Sequence, residues 1–180
     1  MRQSPPSLME VSIKTIVTHS VTYMIMGLLA STLLNYAGFF SESSLKVMMR
    51  PLDDPWVMAG PLFQPLRGIL FGIGFYLLRD LFFTDQKGWW KMWLVLMIFG
   101  IFGTFGPAPG SLEGMVYTIF PLWIHLKGLP EIILQSLGLS VVLCWWIHHS
   151  QIKWFNRMMG ILFVILMLLP VLGFLAGPVK

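Results

Sequence analysis

Residues 158–176 read MMGILFVILMLLPVLGFLA, a run without a single charged side chain. About 20 mostly apolar residues are what an α-helix needs to cross the hydrocarbon core of a bilayer. The run is continuous. A strand of a membrane barrel would instead switch between apolar and polar at every step. Only helices and closed barrels satisfy every backbone N–H and C=O in lipid, so the continuous pattern selects the helix.

The same pattern recurs upstream, at 13–35, 61–83, 89–105 and 131–147. The whole chain of 180 residues is 56% hydrophobic and only 11% charged, well below the roughly 25% charged of soluble domains. Its mean hydropathy is +0.75. A chain of this size in water would leave much of that apolar surface exposed, so lipid is the expected solvent. No linker or low-complexity tract divides it. Residues 1–180 are expected to form one integral membrane domain, an all-α polytopic bundle of five spans, with six as the alternative.

Segment 111–127 separates those two counts. Gly106-Pro107-Ala108-Pro109-Gly110 is a strong helix break. Ser111 then has the position of an N-cap, with Glu113 in the first turn. The apolar stretch that follows is short and interrupted by Pro121, which predicts a re-entrant or interfacial helix. Loop charge favours the same count. With five spans and a cytoplasmic N-terminus, Arg2, Lys14, Arg79, Lys87, Lys91, Lys153 and Arg157 lie inside, and Lys46, Arg50, Lys127 and Lys180 outside. A sixth crossing would export the concentrated Lys153 and Arg157 pair, against the positive-inside rule. The expected location is a bacterial plasma membrane, that is, a cell inner membrane. Lys14, Thr18, His19 and Thr22 interrupt the first apolar stretch, and no small-x-small cleavage site follows. It therefore reads as an uncleaved span, and no lipidation motif stands at either end.

Trp89, Trp90 and Trp93 open one span, and Trp145, Trp146 and Trp154 flank the Lys153 loop, as in an interfacial aromatic belt. Gly68 with Gly72 and Gly173 with Gly177 have the G-x-x-x-G spacing, and Gly100, Gly103 and Gly106 recur every third residue. Each set lets helices approach closely. The net charge of +4 fits lipid headgroups and cytoplasmic loops. No basic run interleaved with polar residues marks a nucleic-acid surface.

Ionisable groups inside spans are expensive, at least about 2.5 kcal/mol each at the bilayer centre if unpaired, and they and the polar residues around them are the leads to function. Arg67 shares a helix face with Gln64 and Gly68. Thr15, Thr18, His19 and Thr22 form a polar stripe at helical spacing, which Thr32 and Asn35 roughly continue. Glu113 follows the proline break and could meet Arg67 as a buried ion pair. Arg67, Gln64, His19 and Glu113 are thus the candidate ligand-binding residues, with Glu113 and His19 the candidate acid/base groups. No metal or cofactor is expected. Cys144 is the sole cysteine, adjacent His148 and His149 point in different directions on a helix, and no zinc-protease motif occurs. Glu42, Asp53 and Asp54 read as a solvated acidic loop lacking the spacing of a calcium site.

Pro51, Pro55, Trp56 and Pro61 in the first loop resemble the tryptophan-rich sensory proteins that bind porphyrins. The likeness is confined to that loop. The later spans do not follow the family's pattern, and no residue role carries over.

The resulting expectation is a non-enzymatic accessory, sensory or complex subunit with a small intramembrane polar pocket. Its partners would be membrane lipids, other membrane subunits or further copies of the chain. The first alternative is an intramembrane enzyme on a lipid or isoprenoid phosphate, with Arg67 holding the phosphate. The second is a small permease, although no inverted repeat is visible.

Overall fold

A computed structural model describes residues 5–35, 38 and 49–176. Arg2, Glu42, Lys46, Gly177 and Lys180 lie outside these. Among the described residues every regular element is helical.

Helix α1 (Leu8–Leu33) begins earlier than its apolar run. The Ser7 side chain accepts the Glu10 amide at 3.2 Å, and Glu10 adds a first-turn carboxylate that favours the helix N-terminus. The helix ends before Asn35, which takes a φ of 47°, the left-handed conformation asparagine tolerates just past a helix. The next helical run also opens earlier than expected, at α2 (Pro55–Ala59), because Asp54 caps it. A 3-10 turn (Gly60–Phe63) leads into α3 (Gln64–Leu77). Pro55, Pro61 and Pro65 each fall in an opening turn, where the missing N–H costs nothing.

A short helix α4 (Arg79–Phe82) turns the chain into α5 (Gly88–Met97). Gly88 is needed at that corner, since an added Cβ would fall on the Phe82 carbonyl oxygen. Helix α5 widens into a single π-turn (Ile98–Phe102).

The ambiguous segment resolves into two six-residue helices, α6 (Leu112–Tyr117) and α7 (Leu122–Lys127). Helix α6 rises about 9 Å, far short of a bilayer core of about 30 Å. Ser111 caps α6, accepting the Gly114 amide at 2.9 Å. Helix α7 runs on through Gly128 into α8 (Leu129–His148), so that Leu122–His148 acts as one long apolar helix. Helix α9 (Lys153–Ala176) closes the fold. Three helices are therefore long and apolar enough to cross a membrane: Leu8–Leu33, Leu122–His148 and Lys153–Leu175. Gly88–Phe102 is a shorter apolar helix. Ile165, Leu168, Leu169 and Leu172 of α9 are exposed, an outward apolar face compatible with lipid.

Helix α1 is the hub, packed against α3, α8 and α9, while α8 also packs on α5. Helix α3 runs antiparallel to α1: Gly68 lies over Ile16 and Gly72 over Ser12. The first G-x-x-x-G is thus a packing face within the chain. One apolar cluster joins Val11, Phe75, Phe82, Phe83, Leu143, Cys144 and Ile147. It ties the start of α1, the 79–88 turn and the end of α8 together at one end of the bundle. A second cluster, Val21, Met24, Trp146, Met159 and Leu166, joins α1 to α8 and α9.

Candidate functional site

The polar stripe of α1 is buried along its first half only. Thr15, Thr18, His19 and Ser20 are each 1% exposed or less. Thr32 is exposed and turns its hydroxyl back to the Leu28 and Leu29 carbonyls, and Asn35 stands beyond the helix. The expected continuation of the stripe to 35 therefore does not occur: α1 ends at Leu33, and Thr32 is exposed.

Antiparallel packing brings α3 against this stripe. His19 Nε2 lies 3.1 Å from Gln64 Oε1, and Gln64 is itself buried. The His19 ring meets Phe71 edge-on at 5.1 Å between centroids and Tyr23 at 6.4 Å. Arg67 stacks its guanidinium 5.3 Å over the Phe71 ring, the same ring that His19 meets. Three of the four sequence-selected residues, His19, Gln64 and Arg67, thus gather at one level of the α1–α3 interface. Gly68 over Ile16 sets that level at about 12 Å along α1 from its first residue, at 1.5 Å per residue.

Glu113 does not join them. It is exposed in the first turn of α6, which packs on α7, and makes no ion pair with Arg67. Sequence reading passed over Tyr23, whose ring faces His19 one turn along the same helix.

Several interior atoms have no hydrogen-bond partner among the described residues: Thr15 Oγ1, Thr18 Oγ1, His19 Nδ1 and Ser20 Oγ. Leaving a buried polar group unsatisfied costs about 1–3 kcal/mol, so a cluster of this kind calls for an explanation in function or dynamics. Arg67 is exposed, and no carboxylate lies within ion-pair distance of it among the described residues. The arrangement can present hydrogen-bonding groups and one fixed positive charge. It offers no activated nucleophile.

Other polar residues hold structure. His125, 1% exposed, accepts the Gly110 amide at Nδ1 (3.1 Å) and faces Thr118 Oγ1 with Nε2 (3.4 Å), fastening the proline break to α7. His148 and His149 each turn Nδ1 to a carbonyl one helical turn back. Asp54 caps α2 through the Trp56 amide and pairs with Arg50 at 3.1 Å. Comparison with known proteins adds no family: no family model matches the chain, and no curated protein or solved structure matches it either.

Proposed function

We propose that this chain is a five-span protein of a bacterial inner membrane, with a cytoplasmic N-terminus, that works as a non-enzymatic subunit or sensor. Arg67, backed by Gln64 and His19, is its contact for an acidic group of a partner. The carrying observation is Arg67 itself. It is exposed, stands level with Ile16 and His19, and has no carboxylate partner among the described residues. An unpaired arginine inside a span is costly and marks a functional contact. Interhelical pairing with a partner's Asp or Glu would relieve that cost.

The five crossings in this reading are α1, the helical run 55–77, Gly88–Phe102, Leu122–His148 and Lys153–Leu175, with α6 as the short re-entrant or interfacial helix. Support comes from charge: Arg79, Lys87, Lys91, Lys153 and Arg157 then share the cytoplasmic side. In the enzyme alternative the acid/base role would fall to His19 beside Arg67, since Glu113 makes no contact with either.

Native electrophoresis of gently solubilised membranes tests the subunit reading. Wild type is expected in a complex, Arg67→Gln as free subunit, and Lys87→Gln unchanged. Identical free migration of all three would overturn it.

A further inference from the structure

A second polar site lies one turn and more below His19 on the same helix. A cleft of about 310 Å³ opens between α1, the end of α8 and the start of α9, at the lower end of the size range of ligand sites. It is lined by Glu10, Lys14, Trp146 and Asn156 together with Ile13, Val17 and Gly160, and its surface is largely apolar. Lys14 is 7% exposed, unusual burial for a lysine. Its ammonium donates to Glu10 Oε1 at 2.6 Å and to the Trp146 carbonyl at 3.2 Å, and stands 5.6 Å from the centre of the Trp146 ring.

An ammonium carries three donors and a carboxylate two acceptor oxygens. Two of the Lys14 donors and one Glu10 oxygen are engaged. One Lys14 N–H and Glu10 Oε2 therefore have no hydrogen-bond partner among the described residues, side by side in a net-neutral pair. A lone anion would repel Glu10, and a lone cation would repel Lys14. A zwitterion satisfies both at once, its anionic end on Lys14 and an N–H-bearing cation on Glu10. Trp145 and Trp154, both partly exposed nearby, have the character of a membrane-interface belt, and the apolar wall continues from the charges along α1. Asn156 holds the rim, accepting from Trp146 Nε1 and donating to the Ser150 carbonyl.

We propose that this cleft binds a zwitterionic phospholipid with a primary-ammonium headgroup, phosphate on Lys14, ammonium on Glu10 and acyl chain along Ile13, Val17 and Gly160. A choline headgroup, lacking N–H donors, cannot make the hydrogen bond to Glu10 and keeps only the weaker charge contact.

The test is native mass spectrometry of the full chain in mixed micelles. Ethanolamine, choline and glycerol phospholipids with identical acyl chains are supplied in equal amounts. The ethanolamine lipid is expected to be retained about tenfold over the other two, the ratio expected from one charge-assisted hydrogen bond. Glu10→Gln should erase that preference. A Cβ at Gly160 meets nothing within 4 Å, so Gly160→Leu fills the cleft in a helix that tolerates leucine and should lower retention of the ethanolamine lipid about tenfold. This second variant decides the matter if Glu10→Gln misfolds. Equal retention of the three lipids, preference for the anionic glycerol lipid, or unchanged binding by Gly160→Leu each overturns the proposal. So does displacement of the lipid by an equal concentration of soluble phosphoethanolamine, which would assign the cleft to a free zwitterion.

Discussion

Gly68 rests on the backbone of Ile16: a Cβ added to the glycine would lie 2.7 Å from the Ile16 Cα. One turn on, Gly72 stands in the same relation to Ser12. Because backbone rather than a flexible side-chain tip is in the way, a larger residue forces α1 and α3 apart. Gly68→Val is expected to destabilise the fold by about 1–3 kcal/mol. Gly74, on the same helix, has nothing within 4 Å of an added Cβ, so Gly74→Ala should gain up to about 1 kcal/mol from helix propensity. Unfolding of the purified protein by SDS titration in mixed micelles separates the two, and wild-type stability for Gly68→Val would refute close packing here.

The same interface carries the hydrogen bond between His19 and Gln64, 3.1 Å long. Gln64→Leu strands the imidazole nitrogen among Phe71, Tyr23 and the threonines, at a cost of about 1–3 kcal/mol. His19→Phe strands the amide in the same way. Removing both partners leaves neither group unsatisfied, so the double variant should be more stable than the sum of the singles predicts, by about 1 kcal/mol. A double-mutant cycle on unfolding free energies measures this term. Additive losses would mean that the contact contributes nothing.

What could be read in advance was whatever depends on neighbours along the chain. The helical character of the apolar runs, the break at Gly106 to Gly110 and the Ser111 cap are local and stand as the residues predict, whereas the helix bounds do not: α1 and α2 open earlier, and the run expected from 131 opens at 122. The G-x-x-x-G spacing marked Gly68 and Gly72 for packing, but which backbone they meet is a matter of inter-helix register that spacing does not encode. Lys14 shows the difference sharply. By sequence it was a cytoplasmic charge at the edge of a span. In the fold it is buried, because Glu10 one turn earlier and the carbonyl of Trp146, far away in sequence, both solvate its ammonium. Glu113 failed as a partner of Arg67 for the converse reason: a carboxylate in the first turn of a short helix already has the helix N-terminus to interact with.

Asp54 supplies a pH signature outside the spans. Chiefly the Trp56 amide, and then Arg50, hold its carboxyl below the usual carboxylate range. A carboxyl depressed in the folded state stabilises above its unfolded pKa, and that contribution is lost as pH falls through the folded value. The start of α2 should therefore loosen at acid pH. Amide hydrogen exchange at Trp56, corrected for the intrinsic rate, is expected to lose protection as pH falls below the ordinary carboxylate range. In Asp54→Asn, which still caps but cannot titrate, protection should be independent of pH over that interval. Parallel curves for the two proteins would remove Asp54 from the account.

Span count and orientation reduce to where three exposed positions face. Gln86 lies in the turn between α4 and α5, Gln151 between α8 and α9, and Ala108 in the proline break before α6. If 111–127 does not cross, Gln86 and Gln151 share the cytoplasmic side and Ala108 faces away. If it does cross, Gln151 joins Ala108. Cys144, 1% exposed, is shielded from reagent, so a single cysteine introduced at each position reports cleanly. In intact cells an impermeant maleimide is expected to label Ala108→Cys and to spare Gln86→Cys and Gln151→Cys, which should react only after the membrane is opened. Labelling of Gln151→Cys in intact cells while Gln86→Cys stays protected would establish a sixth crossing. It would also carry Lys153 and Arg157 to the outer face, where the positive-inside rule no longer explains why those charges cluster beside the last span.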